Sequence, residues 1–242
     1  MEEAEEAVTA TDPPVTEQSP QQQLDHGIEQ LFDCSFKLGV RRETSAVAAL
    51  YFHEFFEDHS PAVYDSSLLA ATALFLAAKV REDRVQLRDV INVFYSTLNP
   101  GSEPLDRGSV FSSLCQSVVD QEQLLARALS FRLTRDPAHR YLLQYLQSLT
   151  DWLAVSRVEK VTFARTSWAL VNDFYRNAKC LDHSAAQIAV SVISLSLKIH
   201  DLTVPCDEEA VLTWHEALLD DLSKEKMSEI ESDLVSTYKQ MT

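Results

Sequence analysis

The residues able to do chemistry are scattered along this 242-residue chain rather than gathered in motifs. Seven His are spread through it, and the nearest two, His53 and His59, are six apart, which puts them on different faces of a helix. The four Cys, at 34, 115, 180 and 206, form no CxxC pair, so neither a zinc site nor a disulfide framework is expected and the thiols read as small buried apolar groups. A Gly-rich phosphate loop, an HExxH and a GxSxG are all missing from the sequence. The chain reads as non-catalytic, with no cofactor and no metal. Two charges stand out by their neighbours. Lys79 closes the apolar run Leu68–Ala78, and Glu122 precedes Leu124 and Leu125. By itself Lys79 is a cation near a helix C-terminus, worth about 0.3–1 kcal/mol against the dipole. By itself Glu122 is an exposed helix acid that meets Arg127 or solvent, worth about 0–1 kcal/mol. They lie 43 residues apart, so only the fold can join them.

The elements that would position them are organised by a duplication. Ala46–Lys79 reappears 119 places on, without a gap, as Arg165–Lys198: Glu54-Phe55-Phe56 falls on Asp173-Phe174-Tyr175, Leu74 on Ile193, Lys79 on Lys198. An interval this long marks two copies of a helical domain rather than a solenoid. With only 4 Gly and 8 Pro and apolar positions at helical spacing, the chain is predicted to be all-α, in two domains of about 100 residues each. Residues 1–20 are predicted to be a disordered acidic tail, being rich in Thr, Pro, Glu, Gln and Ser.

The first domain, 21–135, is expected to hold helices over about 21–38, 44–57, 68–78, 87–98 and a long fifth one ending near Phe131. In the first of these Leu24, Ile28, Leu31, Phe32 and Phe36 make the apolar stripe and Gly39 the stop. Asp65 or Ser66 caps the third, which is apolar on every side and so central. The second domain, 136–242, begins with Asp136 as cap and Pro137 at the first helical position. Its helices are expected over about 137–150, 156–178, 184–200, 207–219 and 223–240.

The net charge of −16 lies at the ends. Residues 1–36 hold nine acids and no base, residues 206–242 ten acids against three Lys, and the body 37–205 is neutral. A nucleic-acid binder needs an excess of Lys and Arg, so direct nucleic-acid binding is not expected. The longest apolar runs fall short of the roughly 20 residues that span a bilayer, and no membrane partner is expected. The start, Met1-Glu2-Glu3-Ala4-Glu5-Glu6, has no secretory signal pattern, which predicts an intracellular protein.

Three segments carry a family resemblance. Ala73-Leu-Phe-Leu-Ala-Ala-Lys-Val-Arg-Glu82 resembles the third-helix signature of transcription-type cyclins, Glu122-Gln-Leu-Leu-Ala-Arg-Ala-Leu-Ser-Phe-Arg-Leu133 their fifth helix, and Asp136-Pro-Ala-His-Arg-Tyr-Leu-Leu-Gln-Tyr-Leu146 the start of their second box. The resemblance extends from about Gln21 to Tyr238 and implies two tandem five-helix cyclin boxes. It further implies a regulatory subunit that binds and activates a cyclin-dependent kinase as a heterodimer, acting in the nucleus. Lys79 and Glu122 match the Lys and Glu with which cyclins engage the kinase. Leu76, Val80, Ala126, Phe131 and Leu133 match the apolar contact surface, with Ala126 smaller than the Leu usual there. Val80 and Phe131, near helix ends, are expected to be exposed, and Leu76 and Leu133 to be core. The Met-Arg-Ala-Ile-Leu patch of cell-cycle cyclins has no match in Gln22–Leu31, so substrate docking of that kind is not carried over. The second copy is expected to lack a partner helix for Lys198, since no Glu-x-Leu-Leu follows it. Two other readings remain: a DNA-binding core like the general transcription factors of similar architecture, which the charge opposes, and a helical adaptor with a peptide groove between the boxes.

Overall fold

The computed structural model describes residues 19–103, 105–106, 108–153, 156–205 and 212–240. Residues 1–18 of the predicted tail 1–20, Cys206 and residues 207–211 of the helix expected over 207–219 lie outside these, whereas Ser19 and Pro20, assigned to the tail by the prediction, are the cap and first residue of a helix. Among the described residues there are ten α-helices and no strand. Helices α1 (Pro20–Lys37), α2 (Arg42–Asp58), α3 (Ser66–Val80), α4 (Leu87–Leu98) and α5 (Ser109–Ala128) form the first bundle. The second contains α6 (His139–Trp152), α7 (Arg157–Phe174), α8 (Ala185–Ile199), α9 (Trp214–Leu218) and α10 (Lys224–Gln240), with a 3₁₀ turn at Ala178–Asp182.

The third helix of each bundle is its core. Leu69, Ala70, Ala73, Leu74 and Ala77 of α3 are closed to solvent, and α1, α2, α4 and α5 pack round it. Its Ala-rich surface has no long side chains to hold neighbours away. Gly27 of α1 is needed for one such approach: a Cβ there would meet the Phe52 ring at 2.9 Å. Likewise Ile188, Ala189, Val192 and Ile193 of α8 are buried under α6, α7 and α10.

Helix starts follow their side chains. The Asp65 carboxylate accepts from the N–H groups of Ser67 and Leu68, and Ser19, Ser156 and Ser184 each close a capping box with Gln22, Glu159 and Gln187. Stops share one device. After α3 the Asp83 N–H reaches the Ala78 carbonyl with Glu82 at φ +58°, and after α8 the Leu202 N–H reaches the Leu197 carbonyl with Asp201 at φ +50°. These are Schellman closures at equivalent places in the two copies. Gly39, at φ +66°, makes the predicted stop of α1.

Four expectations change. Phe36 is 68% exposed, with the Arg42 guanidinium over its ring, so it leaves the predicted stripe. Helix α5 ends at Ala128, three residues before Phe131, because Ser130 and Phe131 turn to φ +53° and +57°. Helix α7 stops at Phe174, residues 175–177 turn, and the 3₁₀ turn begins only at Ala178, the last residue of the predicted span. Asp136 does not cap α6. The N-cap is Ala138, whose N–H donates to the Tyr175 hydroxyl at 2.7 Å, so a tertiary contact takes the place of the local cap.

Tyr175 also joins the bundles. It is fully buried; the ring of His139 stacks on it, and its carbonyl accepts from Nε2 of His53 on α2 at 3.0 Å. Beside it, Arg135 donates to both Glu54 oxygens, at 3.0 and 2.7 Å. Burial drives the His53 pKa from its ordinary 6.5 down to about 4 and lowers that of His139 in the same direction. Between those two values the unfolded chain holds a proton on residue 53 that the folded one refuses. Stability therefore falls as pH drops from 6.5 towards 4, by about 3 kcal/mol from His53. Urea denaturation at pH 7 and pH 4 should show a smaller loss in His53→Gln, which keeps a donor for the Tyr175 carbonyl and does not titrate. Equal losses in the two proteins would remove His53 as the cause.

Candidate functional site

Lys79 is the next-to-last residue of α3, and Glu122 lies in the C-terminal half of α5. The packing of these helices brings them together: Lys79 Nζ is 2.5 Å from Glu122 Oε1. The acid is the anchored partner, with its side chain 15% exposed against 52% for the lysine. The ammonium also sits 5.0 Å from the centre of the Phe75 ring, within cation–π range. Thus Glu122 pairs with neither Arg127 nor solvent alone.

The apolar positions that the resemblance singles out divide by exposure. Phe131 is 70% exposed, while Val80 and Leu133 are half-buried. Leu76 and Ala126 are buried, at 4% and 8% exposure. Two of the five therefore support the helices from beneath, and the accessible apolar surface rests chiefly on Phe131. The Phe131 N–H donates to the Ala126 carbonyl at 2.8 Å and the Ser130 N–H to that of Arg127, closing α5 as a Schellman turn without glycine. The Leu133 carbonyl accepts from the Tyr51 hydroxyl of α2, which fastens the segment after Phe131 to the first bundle.

The second copy repeats the pair, contrary to the sequence expectation. Lys198, at the end of α8, is hydrogen-bonded to Glu231 of α10, whose side chain is 10% exposed. No Glu-x-Leu-Leu announces it; Glu231 is followed three residues on by the buried Leu234, as Glu122 is by the buried Leu125. The signal was present as Glu-x-x-Leu, but its distance from Lys198 is 33 residues rather than 43. What separates the copies is the surroundings. Ser194 takes the place of Phe75, so the second ammonium has no ring there.

The remaining polar clusters have structural roles. His59 bonds the Phe55 carbonyl and stacks on that ring. His183, Glu229 and Asp233 place their ligand atoms within 4.8 Å of one another, a grouping the sequence spacing did not reveal. The Lys179 ammonium is 3.0 Å from Asp233, and this cation already neutralises the carboxylate that a metal would need.

A family model for the cyclin N-terminal domain matches residues 2–134. Cyclin-T1-5 of Arabidopsis thaliana is 28% identical over 214 residues, covering 87% of this chain and 35% of its own length. Cyclin-C1-1 of Oryza sativa subsp. japonica is 31% identical over 205 residues, covering 83% of this chain and 69% of its own. The chain thus spans little more than a third of the first of these relatives. A crystal structure of the yeast RNA Pol II CTD kinase CTDK-1 complex contains a chain of the same fold, with a TM-score of 0.71 at 14% identity over 90% of this chain and 65% of that one.

Phe131 offers a test of what its conformation is for. A left-handed non-glycine residue costs about 1–2 kcal/mol. Glycine would relieve that but add about 0.5–1 kcal/mol of backbone entropy loss. With the ring 70% exposed there is little packing to lose. Phe131→Gly is expected to leave the chain as stable as before or up to about 1 kcal/mol more stable by urea denaturation. A clear destabilisation would make the ring a structural element.

Proposed function

The chain belongs to the cyclin family, and on that premise we propose that it binds and activates a cyclin-dependent kinase as the non-catalytic half of a heterodimer. The observation that carries this reading is the ring of Phe131, 70% exposed on a left-handed backbone just past the end of α5, the helix whose Glu122 meets Lys79 of α3 at 2.5 Å. A kinase is active when the Lys of its third strand pairs with the Glu of its C-helix and its activation loop is in place. The face formed by the ends of α3 and α5 docks on that C-helix and favours its inward position. The shift in population equals the difference in affinity for the inward and outward states, and no more. Lys79 and Glu122 meet polar groups of the kinase at the centre of the contact, and Val80, Phe131 and Leu133 exclude water round them. Leu76 and Ala126 keep the two helices in register. That the matching fold was solved in a kinase complex supports the reading.

The sequence resemblance narrows further, to cyclin Q, also called cyclin M, and so nominates cyclin-dependent kinase 10 as partner and the nucleus as the place of action. Among the described residues no helix is long and apolar enough to cross a membrane.

The repeated ion pair supplies an internal control. Lys79→Glu and Lys198→Glu each break a half-exposed pair and place two acids together, so their effects on stability should be similar, about 1 kcal/mol. Only Lys79→Glu should lose the kinase, by at least about tenfold in the amount retained, equivalent to 1.4 kcal/mol. The measurement is affinity purification of each variant from cell extract, with the bound kinase identified by mass spectrometry and assayed. Full retention and activation by Lys79→Glu, or equal loss in both variants, would overturn the assignment.

A further inference from the structure

The turn that carries Phe131 also carries a free hydroxyl. Ser130 is exposed, at φ +53°, just beyond the end of α5. Its N–H donates to the Arg127 carbonyl at 2.8 Å, but its Oγ has no hydrogen-bond partner among the described residues. Ser96 and Ser102, exposed near the end of α4, instead donate to carbonyls three residues back. Three arginines of the chain stand three places before a Ser or Thr: Arg41 before Thr44, Arg42 before Ser45, and Arg127 before Ser130. Thr44 and Ser45 are closed to solvent, at 0% and 1% exposure. Only Arg127 and Ser130 are exposed together.

The cations that flank this hydroxyl in sequence are loosely held. Arg127 donates to the neutral Gln123 side chain at 3.4 Å. Arg132, with its side chain 73% exposed, has Glu54 at 3.9 Å, and that carboxylate is already engaged by Arg135 at 2.7 Å. Guanidinium groups of this kind pair with the carboxylates of an acidic substrate groove, and the same donors hold a phosphate once it is in place. The backbone also favours presentation. A kinase takes its substrate segment extended, and here that requires opening only the last turn of α5, the part of a helix that frays first. Opening releases the left-handed strain at Ser130 and Phe131.

We propose that Ser130 is a phosphorylation site for a basophilic protein kinase, one that selects Arg before its serine, and that the phosphate releases the cyclin-dependent kinase from this face. Ser130 Oγ forms a bond to the γ-phosphorus of ATP, and the bond from that phosphorus to the β–γ bridging oxygen breaks. ADP leaves, and the hydroxyl proton passes to a carboxylate of the modifying enzyme. The product carries a charge of about −1.5 to −2 at pH 7. It stands at the C-terminal end of α5, where the helix dipole is itself negative, and next in sequence to Phe131. Closing a partner over that ring strips water from the phosphate, a cost that the unmodified serine does not impose. A bound partner that covers Phe131 in turn shields Ser130 from modification. The release rests on the docking reading above; the phosphorylation site does not.

The test treats the full chain with ATP, Mg²⁺ and the catalytic subunit of cyclic-AMP-dependent protein kinase, a basophilic probe, and maps the product by mass spectrometry. Phosphate should be found on Ser130, and Arg127→Ala should slow its transfer about tenfold or more. Treated and untreated chains then recover the cyclin-dependent kinase from cell extract with phosphatases inhibited. Treatment should lower the amount retained by at least about tenfold. Ser130→Gly, which suits the left-handed backbone and so keeps the fold, should retain the kinase equally with and without treatment. Three results would overturn the proposal: phosphate only at other residues, transfer to Ser130 indifferent to Arg127→Ala, or full kinase retention by the chain phosphorylated at Ser130. Failure of the docking reading has a different signature. The untreated chain then retains no kinase while phosphate still appears on Ser130, which upholds the site and removes the release.

Discussion

A helix buried on every side has nowhere to carry a charge except at its ends, and that constraint shapes both halves of this molecule. Between Leu69 and Ala78 most of α3 is closed to solvent, and Lys79 is the first residue of the helix that is exposed rather than half-buried. The Schellman closure that follows, with Glu82 in the left-handed region, stops the helix before that charge could be drawn into the core. Since α3 touches every other helix of its bundle, its end is also where α5 must pass, and an acid on α5 at that level is held against the lysine. The same sequence of causes runs again through α8, Lys198, Asp201 and Glu231. The ion pair is thus a product of the scaffold first. Whatever it does with a partner is built on a geometry that burial has already imposed.

The junction between the bundles depends on a second concentration of burial. Tyr175 uses its hydroxyl to receive the N–H of Ala138, its ring to stack with His139, and its carbonyl to receive the proton of His53. A carbonyl can only accept, so Nε2 of His53 carries the hydrogen, and burial keeps the ring neutral at pH 7. The chain leaving α5 is fixed from the other side by Tyr51 and by the Arg135–Glu54 pair. The segment carrying Phe131 is consequently held at both ends. Its strained backbone is supported by contacts several residues away, as strain in a folded protein has to be.

Most of this architecture was legible because it depends on short-range rules. The 119-residue repeat, the all-round apolarity of α3, the Asp65 cap and the Gly39 stop each need only a few neighbouring residues to be read. What escaped depends on contacts made across the chain. Asp136-Pro137 has every local mark of a helix start, and the helix begins later because Tyr175, 37 residues beyond Ala138, supplies the polar group. The end of α5 escaped because Ser130 and Phe131 are poor left-handed residues, and nothing nearby announces that they adopt it. At the candidate site, the pairing of Lys79 with Glu122 came by resemblance, since no spacing rule joins residues 43 apart. The pairing of Lys198 with Glu231 is not legible because Glu-x-x-Leu is too common on amphipathic helices to single out the acid that faces the end of α8.

The repeated pair changes how the site has to be argued. Had the Lys–Glu contact occurred once, its presence alone could stand for a binding function; occurring twice, it cannot. The distinction must come from what differs between the copies at matched positions. Phe75 is replaced by the buried Ser194, so only the first ammonium rests on an aromatic face. Ile199 in the second copy is as apolar as Val80 and more exposed, so an apolar residue at this place is not distinctive either. The large ring of Phe131, held out to solvent on a left-handed backbone, is the costly feature of the first copy: it gains little from burial and pays in conformation. A residue that neither packs nor relaxes is best explained by a surface it meets elsewhere. That places the weight of the functional assignment on Phe131, in the turn that closes the helix of Glu122, rather than on the ion pair itself.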